Sequence, residues 1–310
     1  MGAETLICIV GPTAVGKSTV AQEVACALGG EVVSVDSMQV YRGMDIGTAK
    51  MMPEERKCPL HMVDVAEVGL PYSVACFQHD ARACVDELLR KGRCVVLCGG
   101  TGLYLDAVVD EMSFPHGETG GETRSRYEEH AERFGPESLY ALLKERDPRS
   151  AEEIHPHNVR RVVRALEMLD QGVSYAGHHE GLLKRAPHYR IRMWALYMPR
   201  EDLYAVIDKR VDQMFDSGLE DEVKRLSAMG LREAKTAGKA IGYKEVLQAL
   251  EGSISMDEAR ELVKRNTRRY AKRQLSWLRR DGRARWLNMK EMSAEDAVRE
   301  ICEDWRSTRS

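Results

Sequence analysis

The stretch LICIVGPTAVGKSTVAQEVACAL, residues 6–28, decides how the rest of the chain is read. Leu6, Ile7, Cys8, Ile9 and Val10 form an unbroken apolar run, which requires burial on both faces and so predicts a strand inside a parallel sheet. The run stops at Gly11-Pro12. From Lys17 onward, Val20, Val24 and Leu28 recur every fourth residue, which predicts a helix ended by Gly29-Gly30. Between strand and helix, residues 11–18 satisfy G-x-x-x-x-G-K-[ST], in the structural context that motif requires. Gly11, Pro12, Thr13, Ala14, Val15, Gly16, Lys17 and Ser18 are therefore a candidate phosphate cradle of the nucleotide-binding, ATP-type P-loop class. Backbone N–H groups and the positive helix end converge on phosphate oxygens, and Lys17 adds a point charge. The Ser18 hydroxyl is the candidate ligand for a phosphate-bound Mg²⁺.

Outward from this motif, apolar β-branched runs at 31–36 and 93–98 predict further strands, with a helical pattern over 74–91 between them. Strands alternating with helices imply a parallel sheet covered on both faces. Beyond about residue 113 the strand signal disappears. Helical patterns over 122–134, 136–145 and 158–171, with loop signals at Pro115-His116-Gly117 and Gly120-Gly121, predict a helical insertion. A strand returns at 191–197 and is closed by Pro199; helices are predicted over 200–218, 220–229 and 256–280. The expected fold class is α/β: a P-loop NTPase-like parallel sheet flanked by helices, with an inserted all-helical subdomain. The core should occupy 1–112 and 191–310, and the insertion 113–190.

Composition narrows the function. The chain has 310 residues and balances 46 Lys and Arg against 49 Asp and Glu, a net charge of −3, so any polyanion site must be local. One such place exists: residues 260–285 hold eleven basic residues against two acids, Glu261 and Asp281. Two readings are open, a solvated helix face or a polyphosphate or nucleic-acid surface; the scarcity of carboxylates at i,i+4 spacing favours the second. The eight cysteines include no Cys-x-x-Cys pair and are expected to be reduced, mainly core thiols. His155, His157, His178 and His179 have no cysteine partners at zinc-site spacing. Residues 1–10 lack a basic leader, and the apolar run 6–10 is far too short to cross a membrane, so a cytoplasmic protein is expected.

Chemistry beyond the phosphate cradle needs a second group. Asp36 follows the second strand at the carboxyl edge where open α/β sheets bind ligands, and could either accept a proton from a nucleophile or cap a helix. Gln39 carries the donor and acceptor needed to read a base edge. The third strand runs into Gly99-Gly100-Thr101-Gly102, either a close-approach ligand site with Thr101 as its polar side chain or a tight strand-to-helix turn. No acid stands at that strand end. Asp64 is the spare metal acid if a nucleoside triphosphate is split. Trp194 and Trp277 are expected in the core.

Together GPTAVGKS (11–18), DSMQVYRGMDIGTAK (36–50), LHMVDVAE (60–67), GGTGLY (99–104), HPHNVRRVVRALE (155–167), IGYKE (241–245) and AKRQLSWLRR (271–280) resemble the bacterial tRNA dimethylallyltransferases, or isopentenylpyrophosphate transferases, over nearly the whole chain. The resemblance implies transfer of a dimethylallyl group from dimethylallyl diphosphate to N6 of the adenosine just 3′ of a tRNA anticodon, releasing pyrophosphate, with Mg²⁺ as cofactor. It implies Asp36 and Thr101 as catalytic residues and Arg210, with the P-loop, near the diphosphate. It also implies a tRNA-binding set of Asp36, Ser37, Met38, Gln39, Thr101, Arg124, Arg160, Arg161, Val162, Val163 and Arg164. The insertion would then hold the anticodon loop, while the basic 260–285 segment follows stem phosphates. The partners expected are tRNA, through its anticodon stem-loop, and the prenyl diphosphate; a monomer without membrane attachment is expected. Two rival readings are a nucleotide-type P-loop kinase and an RNA-binding module whose P-loop acts only as a switch.

Overall fold

The computed structural model describes residues 5–114, 121–183 and 186–307. The loop signals at 115–117 and 120 lie outside the described residues. The chain divides into two compact units, one formed by residues 1–109 and 188–310 and the other by 110–187. Both predicted boundaries move three residues toward the N-terminus, because the Val109 carbonyl accepts from the amides of His188 and Tyr189 and so closes the first unit.

The first unit begins β1 (Thr5–Val10), α1 (Lys17–Ala27), β2 (Glu31–Ser34), β3 (Leu60–His61), α2 (Val74–Arg90), β4 (Val95–Gly99) and α3 (Gly102–Val109). The second contains α4 (Glu122–Phe134), α5 (Pro136–Arg146), α6 (Pro148–Glu153), α7 (Val159–Asp170) and α8 (Tyr175–Leu183). The first resumes with β5 (Arg190–Tyr197), α9 (Arg200–Asp216), α10 (Leu219–Ser227), α11 (Tyr243–Leu250), α12 (Met256–Leu278), β6 (Ala284–Asn288) and α13 (Ala294–Ser307). Among the described residues no helix is long and apolar enough to cross a membrane.

The six strands form one sheet in the order β3-β2-β4-β1-β5-β6, and every pair is parallel. β1 lies between β4 and β5, with Val10 opposite both Gly99 and Ala195. Its composition follows from that position. Leu6, Cys8 and Val10 face a core completed by Phe77, Ala81 and Val85 of α2, while Ile7 and Ile9 face the other core with Val20, Ala21 and Val24 of α1. Both faces are dry, so the sequence runs apolar without alternation. Burying one such aliphatic side chain stabilises the fold by about 1.5–3 kcal/mol.

β3 and β6 did not stand out in the sequence. β3 has two residues, and β6 is an edge strand, ARWLN, whose Arg285 and Trp286 are exposed. The basic segment 260–285 is accordingly not one helix: α12 ends at Leu278, a turn through Asp281 follows, and Arg285 lies on β6. Thiol burial is also mixed, with Cys8, Cys94, Cys98 and Cys302 buried but Cys26 and Cys76 exposed. In the second unit, α4 to α7 close around Tyr127, Leu139, Leu143, Val162, Val163 and Leu166. α7 starts where Asn158 accepts the Arg161 amide at 3.3 Å, the usual side-chain satisfaction of a helix N-terminus.

Candidate active site

Because all strands point the same way, the segments after β1, β2 and β4 emerge at one edge of the sheet, where parallel α/β folds bind ligands. The first is the P-loop. Gly11 is indispensable there: a Cβ would stand 2.5 Å from the Leu196 carbonyl oxygen of neighbouring β5. Ala14 and Gly16 both take positive φ, 69° and 93°, and so curl the backbone around the start of α1. No side chain caps that helix, and the amides of residues 14–18 make no hydrogen bond among the described residues. They are the donors an anion would meet. Lys17 Nζ folds back onto the Pro12 carbonyl at 2.6 Å.

The segment after β2 is shaped by Asp36. Its Oδ1 accepts the Met38 amide at 2.8 Å and the Gln39 amide at 3.3 Å, while Oδ2 makes no hydrogen bond among the described residues. No helix starts here, so Asp36 does not cap one as the alternative reading had it; its Oδ1 closes a turn over residues 37–40 and leaves Oδ2 open. Thr101, after β4, accepts the Ser37 amide at 3.4 Å, and its hydroxyl lies 3.3 Å from that of Tyr270. A fourth segment, residues 45–50, is held from beneath by the buried carboxylate of Glu222 on α10. That side chain accepts the amides of Asp45, Ile46 and Gly47 at 2.9–3.2 Å and the Tyr243 hydroxyl at 2.6 Å.

These segments, with α9 and α12, enclose a cavity of about 790 Å³, a size typical of small-molecule sites. All its lining residues belong to the first unit. Its lining includes the polar group Gly16, Lys17, Ser18, Asp36 and Arg210 and the apolar side chains of Ile207, Val211, Met214, Ile241 and Val263. Burial lowers the Lys17 ammonium to about 8; the Asp36 carboxylate acts against that shift and Arg210 adds to it. Burial likewise lowers Arg210, against the pull of Asp36. Two cations pressed together out of water with one carboxylate form a site that gains by accepting a polyanion. Burial pushes the neighbouring Cys98 thiol up to about 11, keeping it protonated and unreactive.

The structure therefore brings together the P-loop, Asp36, Ser37, Met38, Gln39, Thr101 and Arg210. It corrects other readings. Asp64 does not line the cavity: its Oδ1 takes a 2.6 Å bond from Lys50, whose ammonium is buried and also pairs with Asp45, so it is a counter-ion and not a spare metal acid. The Gln39 amide faces Ser34 Oγ at 3.1 Å and the Thr48 carbonyl at 3.3 Å, so reading a base would require it to exchange partners. Val162 and Val163, expected in an RNA-contacting stretch, are fully buried in the core of the second unit. Arg160 and Arg161 are exposed, whereas Arg164 pairs with Glu167, which also holds Arg124 at 3.2 Å. A helical repeat brings Glu167 onto the same face as Arg164, so the arginine cluster is not free of carboxylates.

The basic segment is likewise partly spent. Arg260 and Lys264 pair with Asp212, Arg268 with Asp208, and Arg285 with Asp304. Arg265, Arg269, Lys272, Arg273, Arg279 and Arg280 remain exposed without an ion pair among the described residues, and four of them line a second concavity with Ser276 and Trp277. Trp194 is core, as expected; Trp277 packs over Gly102 and donates to Asp106 at 3.2 Å. Gln274, Tyr270, Glu222 and Tyr243 were missed as site residues. Only their membership of AKRQLSWLRR and IGYKE, or their place in otherwise apolar helix faces, could have drawn attention to the first and last.

A P-loop at the centre of a parallel sheet, with a carboxylate one segment away and apolar residues lining the same cavity, defines the class: a P-loop α/β protein with a candidate ligand site at the sheet edge. Residues 39–281 match the family model described as IPP transferase, and residues 4–59 match that described as isopentenyl transferase. A tRNA dimethylallyltransferase of Carboxydothermus hydrogenoformans is 45% identical over 96% of each chain, and one of Streptomyces coelicolor is 46% identical over 92% of this chain and 91% of its own. Among solved structures, a tRNA isopentenylpyrophosphate transferase of Bacillus halodurans superposes with a TM-score of 0.73 at 40% identity, covering 98% of this chain and 96% of its own. A eukaryotic dimethylallyltransferase acting on tRNA gives 0.81 at 26% identity, covering 99% of this chain and 81% of its own. The chain belongs to the IPP transferase family, the tRNA dimethylallyltransferases. These relatives do not favour the kinase alternative.

Proposed function

We propose that the protein transfers the dimethylallyl group of dimethylallyl diphosphate to N6 of the adenosine 3′-adjacent to the anticodon of a tRNA, releasing pyrophosphate. The observation that carries this reading is the cavity itself, in which the P-loop amides, Lys17 and Arg210 share one space with Asp36 and an apolar wall. The allylic carbon–oxygen bond breaks as the N6–carbon bond forms, and the departing diphosphate takes the electron pair. Its charge develops against Lys17, Arg210 and the amides of residues 14–18, which are already in place. The N6 proton passes to Asp36 Oδ2, the oxygen not used in the turn. An exocyclic adenine amine is weakly nucleophilic, so alignment matters as much as basicity. Thr101, held by Tyr270, accepts the amide of Ser37, the residue that follows Asp36.

The donor set also fits Mg²⁺. Ser18, an exposed residue at an uncapped helix start, lines the same cavity as Asp36 and has its side chain near the Cys98 thiol, and this hard ion keeps several waters and binds through few protein oxygens. Ser18 would hold it, and when bound it would offset charge on the leaving diphosphate. The adenosine must leave its stack to reach the cavity. The exposed cations of α12 supply phosphate contacts for the anticodon stem-loop. This reading makes the protein a cytoplasmic enzyme acting as a monomer.

The test is incubation with isotopically labelled dimethylallyl diphosphate and an unmodified anticodon stem-loop, beside ATP with nucleoside monophosphates. Digestion and mass spectrometry should find N6-dimethylallyl-adenosine. A labelled nucleoside diphosphate in its place would restore the kinase, and RNA binding without product would make the chain a binding module.

A further inference from the structure

We propose that Gln274 is a positioning residue for group transfer, one whose carboxamide sets the P-loop against the turn that carries Thr101. It rests on the transferase reading above. Gln274 is one of the few polar residues on the buried face of α12, only 5% exposed. Its Oε1 accepts the Thr13 amide at 2.8 Å, and its Nε2 donates to the Gly100 carbonyl at 3.0 Å. These two partners lie in the segments after β1 and β4, and no other side chain hydrogen-bonds to both of them among the described residues.

Three features turn this contact into a chemical requirement. First, the bridge needs an acceptor and a donor on one planar group. A backbone N–H stands on one side and a carbonyl on the other, so a carboxamide fits and an ionised carboxylate does not. Second, Gly100 leaves the space the amide occupies: a Cβ there would stand 2.3 Å from Gln274 Nε2 and 2.8 Å from the Gly11 carbonyl oxygen. The glycine pair after β4, read from sequence as a ligand approach or a plain turn, at this position makes room for a side chain from α12. Third, Tyr270, one turn earlier on α12, hydrogen-bonds with Thr101 at 3.3 Å, and Gln274 is near enough to influence its hydroxyl, so the same helix turn reaches the acceptor side of the reaction as well.

The consequence for the donor is definite. With the Thr13 amide turned to Gln274, the phosphate-binding amides are those of residues 14–18, and their distance from Thr101 and Asp36 is set by a side chain that touches none of the reacting atoms. Losing the bridge should loosen the registration of diphosphate against amine, where displacements of an ångström are costly.

Gln274→Glu tests this, because a protonated carboxyl can both accept from Thr13 and donate to Gly100, while the ionised form loses the donor and repels the carbonyl. With dimethylallyl diphosphate and an anticodon stem-loop, kcat/KM for the diphosphate at pH 8 should fall tenfold or more relative to the unsubstituted protein. The ratio of variant to parent should then recover steadily as the pH is lowered to 5.5. Gln274→Met, of similar size and unable to bridge, should show a similar loss that no pH change relieves. The proposal is overturned if the glutamate variant matches the parent throughout, if its loss is the same at every pH, or if the methionine variant is fully active. Should the glutamate variant not fold at pH 8, the methionine variant decides. Absence of prenylated RNA from the parent protein would instead refute the transferase reading and leave the geometry of the bridge untouched.

Discussion

Asp36→Asn separates the two functions of this carboxylate. Asparagine retains an Oδ1 able to accept the Met38 and Gln39 amides now held at 2.8 and 3.3 Å, so the turn after β2 should persist. What disappears is the negative charge and the basic Oδ2. A positioned general base contributes about 10²–10⁴ in rate, equivalent to about 3–5 kcal/mol of activation free energy. The loss should fall on kcat, because the diphosphate is held by Lys17, Arg210 and the P-loop amides. A secondary effect is expected on the donor. Asp36 supports the protonated state of Lys17 against burial, so without it the ammonium titrates below about 8 and donor KM rises earlier with pH. Single-turnover prenylation of an anticodon stem-loop, with thermal melting to confirm the fold, measures both. A kcat within about threefold of the parent, in a protein of unchanged stability, would remove Asp36 as the base, since general-base contributions are far larger than that.

Lys17 sets a wider pH dependence: its charge is present below about 8 and lost above it, so in the unsubstituted protein donor KM should climb through that range, and a flat profile to pH 9 would contradict the cradle. Glu222→Ala orphans three loop amides and the Tyr243 hydroxyl. At about 1–3 kcal/mol per unsatisfied group, four such groups should register in urea unfolding as a loss of at least about 4 kcal/mol; Glu222→Gln should lose less, and a neutral alanine variant would deny the clamp. Replacing Arg269, Lys272, Arg273 and Arg280 by alanine should flatten the salt dependence of RNA binding by about 0.9 per duplex phosphate contact removed. An unaltered slope in filter binding would place the RNA elsewhere.

What was legible in the sequence was local. Residues 6–28 specify strand, curled loop and helix through features within a few positions of one another, and the helical periods of α2, α4, α5, α7 and α9 were readable for the same reason. Asp36 and Thr101 were placed because parallel strands put their following segments at one edge. Two-residue β3 carries too little pattern to be seen, and β6 was hidden beneath a charge run.

Long-range pairing was decided by tertiary structure alone. Whether Arg260, Lys264 and Arg268 meet RNA or solvent could not be judged from their own helix, because their carboxylates come from α9, at Asp208 and Asp212. Nor could Gln274 be recognised 261 residues from Thr13 and 174 from Gly100. Periodicity records which face of an element is buried but not which groups lie across from it. Those partners exist only once the sheet has been assembled and α12 packed against its edge.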